Sequence, residues 1–295
     1  MRAKSKSVSK VQPPSKVLTQ AEKYAIVIIA HDISHVNRKD IKMAITKEDI
    51  ASVKGRGFLI NRGTECFSGR LVSVGGLFTA EDLLAVSECA KRFGSGEVAF
   101  TSRLSAEIIG IPFEKIPEAE AFMAERGLYF GGTGAKVRPI TACKGTTCIF
   151  GIIDTRALAK VIHDRFYVGM CGVALPHKFK ISVGGCPNSC MKPSLNDVGI
   201  EGCRQGGVSL CRVYVGGTWG RTMQRMGTPL STLYTAEEIP DVIEKVMLFY
   251  RENGKKKERL GALVDRVGIE ALEAAIATDD LLLRRDAILA APILE

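Results

Sequence analysis

The sequence lacks the long apolar runs and the short fingerprints by which many protein classes are identified. No stretch of about 18 apolar residues is present, which argues against a membrane-spanning helix. Residues 1–16 are basic and serine-rich without an apolar centre, so we expect a disordered tail and not a secretory signal. No G-x-S-x-G, Walker A or strand-linked G-x-G-x-x-G motif occurs, which leaves hydrolase and nucleotide-dependent transferase functions without support.

Aromatic residues are also few, at 6%, and no segment interleaves them with lysine and arginine as a platform for single-stranded nucleic acid would. Basic residues outnumber acidic ones, 41 to 32, which gives a net charge of +9. One interpretation is a basic surface with loosely bound counterions. The others are binding of nucleic acid, an acidic membrane or an acidic ligand, and we favour the acidic ligand. The 46% apolar and 25% charged composition is that of an ordinary globular protein.

The sequence contains nine cysteines. Their odd number and the absence of a signal sequence predict reduced thiols or metal ligands in a cytoplasmic protein. Four of them form two close pairs, Cys143-Lys-Gly-Thr-Thr-Cys148 and Cys186-Pro-Asn-Ser-Cys190. Four thiolates suit zinc or a [4Fe–4S] cluster, and spacings of four and three residues differ from the usual C-x2-C of zinc ribbons. We therefore favour the cluster. The alternatives are a zinc-binding or cluster-binding module with four cysteine ligands, or buried structural cysteines.

Periodicity and capping signals predict an α+β fold in two parts. The first part follows the order β-α-β-β-α, which is typical of a ferredoxin-like unit. Its predicted elements are a strand at 69–75, a helix between Thr79 and Gly94, strands at 97–102 and 106–109, and a helix at 116–127. In the second part we predict a helix from Asp154 through Phe166, strands at 179–183 and 208–215, a helix capped by Thr235, and amphipathic helices at 258–283.

The segment LPHKFKISVGGCPNSC at 175–190 closely resembles the sirohaem-binding stretch of sulfite and nitrite reductases, as does VYVGG at 213–217. The segments FSGRLVSVGG at 67–76 and FTSR at 100–103 resemble the substrate-side half domain of the same enzymes. The resemblance covers about residues 47 to 270 and is closest to small sulfite reductases of the assimilatory or anaerobic type. It implies a basic tail at 1–45, a ferredoxin-like half domain at 46–134, a sirohaem and [4Fe–4S] domain at 135–255, and C-terminal helices at 256–295.

The resemblance also implies a set of site residues. The cluster ligands would be Cys143, Cys148, Cys186 and Cys190, with Cys190 bridging to the sirohaem iron. The residues around the substrate would be Arg70, Arg103, Lys178 and Lys180. Because Lys178 and Lys180 are two apart on a predicted strand, they would point to the same face. The interpretations of Arg138 as a partner of a sirohaem carboxylate, and of Thr147 and Asn188 as hydrogen-bond donors, rest on position alone.

The implied function is the six-electron reduction of sulfite to sulfide, with nitrite reduction to ammonia and a non-catalytic reductase subunit as alternatives. Larger relatives contain two copies of the repeat, and this chain has one, so we expect a homodimer whose basic residues serve the other subunit's sirohaem. The ferredoxin module that relatives carry after Asn196-Asp197-Val198-Gly199 is missing. We therefore expect an external electron donor, such as a ferredoxin or an iron–sulfur or flavin subunit, and no nucleic-acid or membrane partner. Cys203 and Cys211 would be remnants, a labile disulfide or half of a shared site.

Overall fold

A computed structural model describes residues 45–220 and 224–295 of this chain. The predicted basic tail lies outside the described residues, apart from its last position. None of the helices in this part of the chain is both long enough and apolar enough to cross a membrane.

The first part of the structure is a four-stranded antiparallel sheet with strand order β1-β2-β4-β3. Its elements are α1 Lys47–Lys54, β1 Phe58–Ile60, β2 Cys66–Arg70, α2 Ala80–Phe93, β3 Val98–Phe100, β4 Ala106–Pro112 and α3 Ile116–Ala124. Helix α2 begins where predicted, because Thr79 and Asp82 form a reciprocal capping box that satisfies two backbone N–H groups. The apolar faces of α2 and α3 share one core with the sheet, and this core includes Phe58, Ile108 and Met123. The predicted β-α-β-β-α order agrees with the structure, which adds α1 and β1 before it.

The second part is a five-stranded mixed sheet with strand order β11-β8-β7-β6-β5. Its strands are β5 Thr141–Ala142, β6 Ile181–Gly184, β7 Val198–Gln205, β8 Val208–Val215 and β11 Thr228–Tyr234, and β9 Thr218–Trp219 pairs with β10 Gln224–Arg225 in a separate ribbon. Strands β5, β6 and β7 are parallel to one another, whereas β8 is antiparallel to both β7 and β11. The parallel arrangement places the carboxyl ends of β5 and β6 at one edge and their amino ends at the other.

Helices cover this second sheet and share its core, which extends to residue 288. They are α4 Thr155–Ile162, α5 Ile239–Asn253, α6 Leu260–Val267, α7 Ile269–Ile276, α8 Asp280–Leu283 and α9 Arg285–Ala290. Together the two sheets confirm the predicted α+β class. The half domain also contacts the second sheet directly, since Gly75 forms a parallel bridge with Thr141 of β5.

Several predicted elements differ from the structure. The strand predicted at 69–75 shares only Gly69 and Arg70 with β2, and the strand predicted at 179–183 begins at Ile181, so Lys178 and Lys180 lie before it. The helix that Asp154 caps is α-helical only to Ile162 and continues as a π-helix over His163–Val168. Thr235 does not cap α5, because its N–H and hydroxyl both donate to the Glu238 carboxylate and close a separate turn before the helix begins at Ile239. The predicted helical region at 258–283 consists of short helices separated by turns, and α9 extends it to Ala290.

Candidate redox centre and anion site

The two cysteine pairs lie at the carboxyl ends of neighbouring parallel strands. Cys143 directly follows β5, and Cys186 follows β6 by two residues. The Cys143 N–H donates to the Val183 carbonyl at 3.1 Å, which continues the β5–β6 ladder to the cysteine itself. The sheet therefore brings together two pairs that are 38 residues apart at their nearest members in the chain.

Backbone N–H groups of glycines surround the Cys143 sulfur. Gly145 N donates to Cys143 Sγ at 3.4 Å and Gly185 N donates at 3.2 Å. A side chain at Gly185 would lie 3.3 Å from the same sulfur, and Gly145 has a left-handed φ of +57° that favours glycine. N–H donors aimed at sulfur stabilise the anionic thiolate, which is the form that binds iron.

The turn of the second pair is conformationally unusual. Ser189 and Lys192 flank Cys190 in left-handed conformations, with φ of 53° and 49°, which are uncommon for residues other than glycine. Asn188, in the same turn, is exposed. In the first pair, the Thr147 hydroxyl donates to the Lys144 carbonyl at 2.7 Å, so its predicted donor is already used within its own loop.

The four thiols fit a [4Fe–4S] cluster by their chemistry and their access. All four are free and partly or fully exposed, whereas Cys89, Cys203 and Cys211 are buried. Within residues 45–220 and 224–295, no three Cys, His, Asp or Glu side chains converge closely enough to hold one metal ion. In a [4Fe–4S] cluster each thiolate binds its own iron, which four separate and accessible thiols suit.

Cys203 and Cys211 lie on adjacent strands but face away from each other. Cys203 is opposite Leu210, and Cys211 is opposite Gly202, so their side chains point to opposite faces of the β7–β8 hairpin. Cys211 belongs to the apolar core, and burial raises its pKa to about 12. The labile-disulfide interpretation is therefore wrong for this geometry.

A cluster of six basic side chains lies around the other edge of the same strands. We call it the basic cluster; its members are Arg70, Arg103, Arg138, Lys178, Lys180 and Arg259. Arg138 precedes β5, and its backbone N–H donates to the Phe179 carbonyl at 2.8 Å. Lys178 and Lys180 precede β6. The amino ends of the two parallel strands thus bring these three residues together.

The half domain contributes Arg103 from the turn between β3 and β4. Its guanidinium donates to Asn196 Oδ1 at 3.0 Å and to the Pro139 carbonyl at 2.8 Å. The Nε atoms of Arg103 and Arg138 are buried and have no hydrogen-bond partner in the described part of the chain. Buried donors on a cation are costly unless an acceptor satisfies them, so both are candidates for binding an anionic ligand.

The charge of the basic cluster is only partly balanced. Arg70 pairs with Glu107 at 2.6 Å, and Arg259 forms a bidentate pair with the buried Asp197 at 2.8 Å. The other four cations form no ion pair within residues 45–220 and 224–295. An excess of positive charge held at the end of a sheet is suited to binding a small oxyanion or the carboxylates of a larger ligand.

The pKa values of these groups reflect the same imbalance. Burial, together with neighbouring cations, lowers the pKa of Arg103 and of Arg138 to about 10. Burial and the charges of Arg103 and Arg259 lower the pKa of Lys180 to about 8. Lys180 is therefore able to exchange a proton near neutral pH, which arginine is not.

Sequence reasoning missed Arg259 and Asp197. Asp197 is fully buried. Its carboxylate accepts the backbone N–H of Lys180 at 2.8 Å as well as the hydrogen bonds from the Arg259 guanidinium. Burial raises the pKa of Asp197, and the Arg259 guanidinium opposes that rise. Arg259 follows a run of three lysines at 255–257, which reads as an exposed surface segment, so the sequence carried no distinct signal for it.

The cysteines and the basic cluster do not form one site within a chain. The five steps from Lys180 to Gly185 follow β6, and at about 3.3 Å per residue they span roughly 16 Å. The structure places the two predicted cysteine pairs in neighbouring loops at one edge and the predicted basic residues at the other. Each edge carries half of what the resemblance implies for a complete centre.

Comparisons with known proteins identify the family of this chain. The family model described as "Nitrite and sulphite reductase 4Fe-4S domain" matches residues 133–281, and the "Nitrite/Sulfite reductase ferredoxin-like half domain" matches residues 61–126. A "Sulfite reductase, assimilatory-type" from Nitratidesulfovibrio vulgaris is 30% identical over 68% of this chain and 88% of its own. A "Coenzyme F420-dependent sulfite reductase" from Methanocaldococcus jannaschii is 27% identical over 66% of this chain, which spans only 39% of that relative. A "Nitrite reductase [NAD(P)H]" from Bacillus subtilis is 29% identical over 68% of this chain and 24% of its own.

Two solved structures share the fold. Dissimilatory sulfite reductase I superposes with a TM-score of 0.66 and 19% identity, covering 72% of this chain and 69% of that one. The NirA protein of Mycobacterium tuberculosis superposes with a TM-score of 0.68 and 19% identity, covering 85% of this chain and 48% of that one.

Proposed function

Because this chain belongs to the nitrite and sulphite reductase family, we propose that it reduces sulfite to sulfide in a six-electron reaction. The observation that carries the proposal is the basic cluster, in which two buried arginine Nε atoms have no partner in the described part of the chain. The assimilatory-type relative, which this chain spans almost entirely, is named a sulfite reductase and supports sulfite as the substrate.

The cofactors of this chain are a [4Fe–4S] cluster and a sirohaem. As ligands of the cluster we propose Cys143, Cys148, Cys186 and Cys190, with Cys190 shared with the sirohaem iron. When bound, this pair of centres supplies electrons to the substrate. The accessible thiols and the N–H groups directed at Cys143 Sγ support this assignment.

The protein's own residues bind the anion and deliver protons. Reduction of sulfite to hydrosulfide takes up six electrons and seven protons and releases three waters, so positive charge and proton donors are both needed. Arg70 and Arg103 would hold the oxyanion through directional N–H donors. Lys180, with its pKa near 8, would donate a proton at neutral pH and recover it from solvent.

Arg138 and Arg259 would have roles other than binding the substrate. Arg138 would bind a carboxylate of the sirohaem through its unpartnered Nε. Arg259 holds the buried Asp197, which in turn accepts the Lys180 N–H. Through this chain of bonds Arg259 would keep Lys180 directed at the substrate.

A homodimer would complete the centre. Since the cysteines and the basic cluster lie at opposite edges of β5 and β6, a two-fold pair of chains would place each cysteine edge against the partner subunit's basic edge. A cysteine variant and a basic-cluster variant, each inactive alone, would then complement each other in a mixed dimer.

This test uses C190S and K180M, co-expressed with different tags and purified through both. The mixed dimer has one intact site, formed by Cys190 of one chain and Lys180 of the other, so we expect about half of the wild-type activity per dimer. Two differently tagged copies of C190S provide the control. An inactive mixed dimer, or a monomeric holoenzyme in solution, would refute the shared site.

The choice between sulfite and nitrite requires a direct comparison. Nitrite reduction to ammonia is the second candidate, because nitrite reductases match a similar share of this chain. We propose measuring kcat/KM for both anions with the anaerobically purified protein and a strong artificial reductant. A larger kcat/KM for sulfite supports the proposal, and a larger value for nitrite replaces it. Sulfide from the isolated chain would also exclude a purely non-catalytic role.

The electron donor is proposed to be a separate acidic carrier, such as a ferredoxin or an iron–sulfur or flavin subunit. The net charge of +9 supports such a partner by electrostatic attraction. The division into segments 46–134, 135–255 and 256–295 remains a prediction. Two separate apolar cores support its first boundary, whereas the last two segments share one core.

A further inference from the structure

Tyr167 lies on the π-helical segment His163–Val168 that follows α4. The Gly169 N–H donates to the Asp164 carbonyl at 2.9 Å, five residues earlier, which is the π-helical bond. Short π-helical segments are rare and occur frequently at functional sites. None of the roles described so far uses this segment.

The Tyr167 hydroxyl contacts a pair of glycines beside the basic cluster. It accepts the Gly132 N–H at 3.0 Å. A side chain at Gly131 would lie 2.5 Å from the hydroxyl oxygen, so the hydroxyl fills the space that any larger residue would need. Gly132 has a left-handed φ of +75°, and its own side-chain position is blocked by Pro139. The glycine pair is thus shaped to receive this hydroxyl.

The glycine pair in turn holds two arginines of the basic cluster. The Gly131 N–H donates to the Arg70 carbonyl at 2.9 Å, which ties the pair to β2. The Gly132 carbonyl accepts a close hydrogen bond from Arg138 Nη1 and a longer one, 3.5 Å, from Arg70 Nη1. One carbonyl therefore orients two guanidiniums that would otherwise repel each other.

The Tyr167 ring is held in place by stacking on a neighbouring ring. It stacks on His163 with ring centroids 5.1 Å apart and an interplanar angle of 23°. Burial lowers the pKa of His163 to about 4 and raises that of Tyr167 to about 12, so both rings are neutral at pH 7. A neutral hydroxyl keeps the Gly132 N–H paired without adding charge beside the arginines.

We propose that Tyr167 is a positioning residue of the anion site, which holds the Arg138 and Arg70 guanidiniums in place through the backbone of Gly131 and Gly132. The inference rests on the proposed function in naming an anion site. Its structural content, the restraint on two arginines, is independent of which anion is reduced.

The test is Y167F in the full-length holoenzyme, with Y234F as the matched control. Tyr234 lies on β11, and its hydroxyl interacts with Thr232 and not with the basic cluster. The first readout is the rate at which phenylglyoxal modifies Arg138, measured by peptide mass spectrometry, with the exposed Arg156 as internal reference. Loss of one buried hydrogen bond should raise the rate about fivefold in Y167F and leave it unchanged in Y234F.

The second readout separates positioning from a general loss of stability. With the guanidiniums less restrained, the KM for sulfite should rise about fivefold while kcat stays within about twofold. An unchanged Arg138 modification rate overturns the positioning role, whatever the enzyme reduces. A raised modification rate in a protein that forms no sulfide even as wild type would instead sustain the positioning role and reject the proposed function.

A second variant keeps the test decisive if Y167F does not fold. In G131A the added methyl would displace the hydroxyl, 2.5 Å away, and would press on Val72 Cγ2 at 3.0 Å, whereas the ring carbon Cζ of Tyr167 would lie 3.8 Å away in ordinary contact. G131A should therefore raise the Arg138 modification rate as well. No increase in G131A would overturn the inference independently of Y167F.

Discussion

Replacing Lys180 with methionine should make the cofactor-free chain more stable while weakening its anion site. Methionine retains an unbranched side chain of similar length and removes the charge. Burial and the charges of Arg103 and Arg259 lower the pKa of Lys180 from 10.5 to about 8, which means that the folded chain disfavours the ammonium. In the cofactor-free chain nothing within the described residues pairs with this charge.

The size of the effect follows from the pKa. Taken in full, the lowering from 10.5 to about 8 corresponds to about 3 kcal/mol, at about 1.4 kcal/mol for each tenfold change. Lys180 is partly exposed, so screening by water reduces the expected gain to about 1 kcal/mol. For a folded region of this size, that gain raises Tm by roughly 2–4 °C.

The pH dependence gives the prediction its sign. Below about pH 8 the ammonium is charged in both the folded and the unfolded chain, so the full cost is present. As pH rises from about 8 towards 10.5 the folded chain loses the proton first and the cost disappears. The advantage of K180M should therefore be present at pH 7 and nearly absent above pH 10.

Thermal unfolding of the cofactor-free chain at both pH values provides the assay. K91M is the matched control, because Lys91 is an exposed residue of α2, and its effect should stay within about 0.5 kcal/mol. A K180M chain that is less stable than wild type at pH 7, or that keeps its gain unchanged at high pH, would refute the reasoning about the basic cluster.

Other predictions concern the same residues and the cysteines. The KM for sulfite should rise as pH increases through about 8, since Lys180 loses its charge there, and K180R should flatten that rise in a pH profile of the steady-state kinetics. C190S should lose most iron and the visible sirohaem absorption, whereas C203S should keep its iron content in a metal assay, because Cys203 is buried while the four proposed ligands are partly or fully exposed. R259M should destabilise the chain by about 3 kcal/mol in urea unfolding, because it leaves the buried Asp197 carboxylate unpaired; an equal stability of R259M and wild type would contradict that role.

Local signals in the sequence predicted the half domain well. Thr79 with acidic residues in the first turn fixed the start of α2, and Val208–Val215 was predicted at its observed bounds. Strand β7 was missed, because its sequence VGIEGCRQ contains two glycines and no clean alternation, and its burial on both faces depends on the elements packed over the sheet. The π-helix after α4 has no known sequence signal, since its first residues continue the helical pattern.

Some residues of the candidate site could likewise be predicted from local patterns, and others could not. The cysteine pairs were identifiable because each is a short, local spacing in a turn-forming segment. Arg259 and Asp197 are 62 residues apart and become neighbours only through the fold, so no local pattern could connect them. Tyr167 was equally hidden, because its contact is with a backbone N–H, and a backbone group leaves no trace in the residue types of a single sequence.

In the proposed homodimer, the separation of the two edges would also link cofactor binding to assembly. In a single chain the basic cluster faces no counter-charge beyond Glu107 and Asp197 among the described residues, and its pKa values show that this costs stability. A sirohaem, with its carboxylates, would supply that counter-charge, but its iron would be held by the cysteine edge of another chain. Any ligand that binds only the assembled form stabilises that form by mass action. Cofactor loading and dimer formation should therefore strengthen each other, and an excess of positive charge at one edge of the sheet is the physical reason for both.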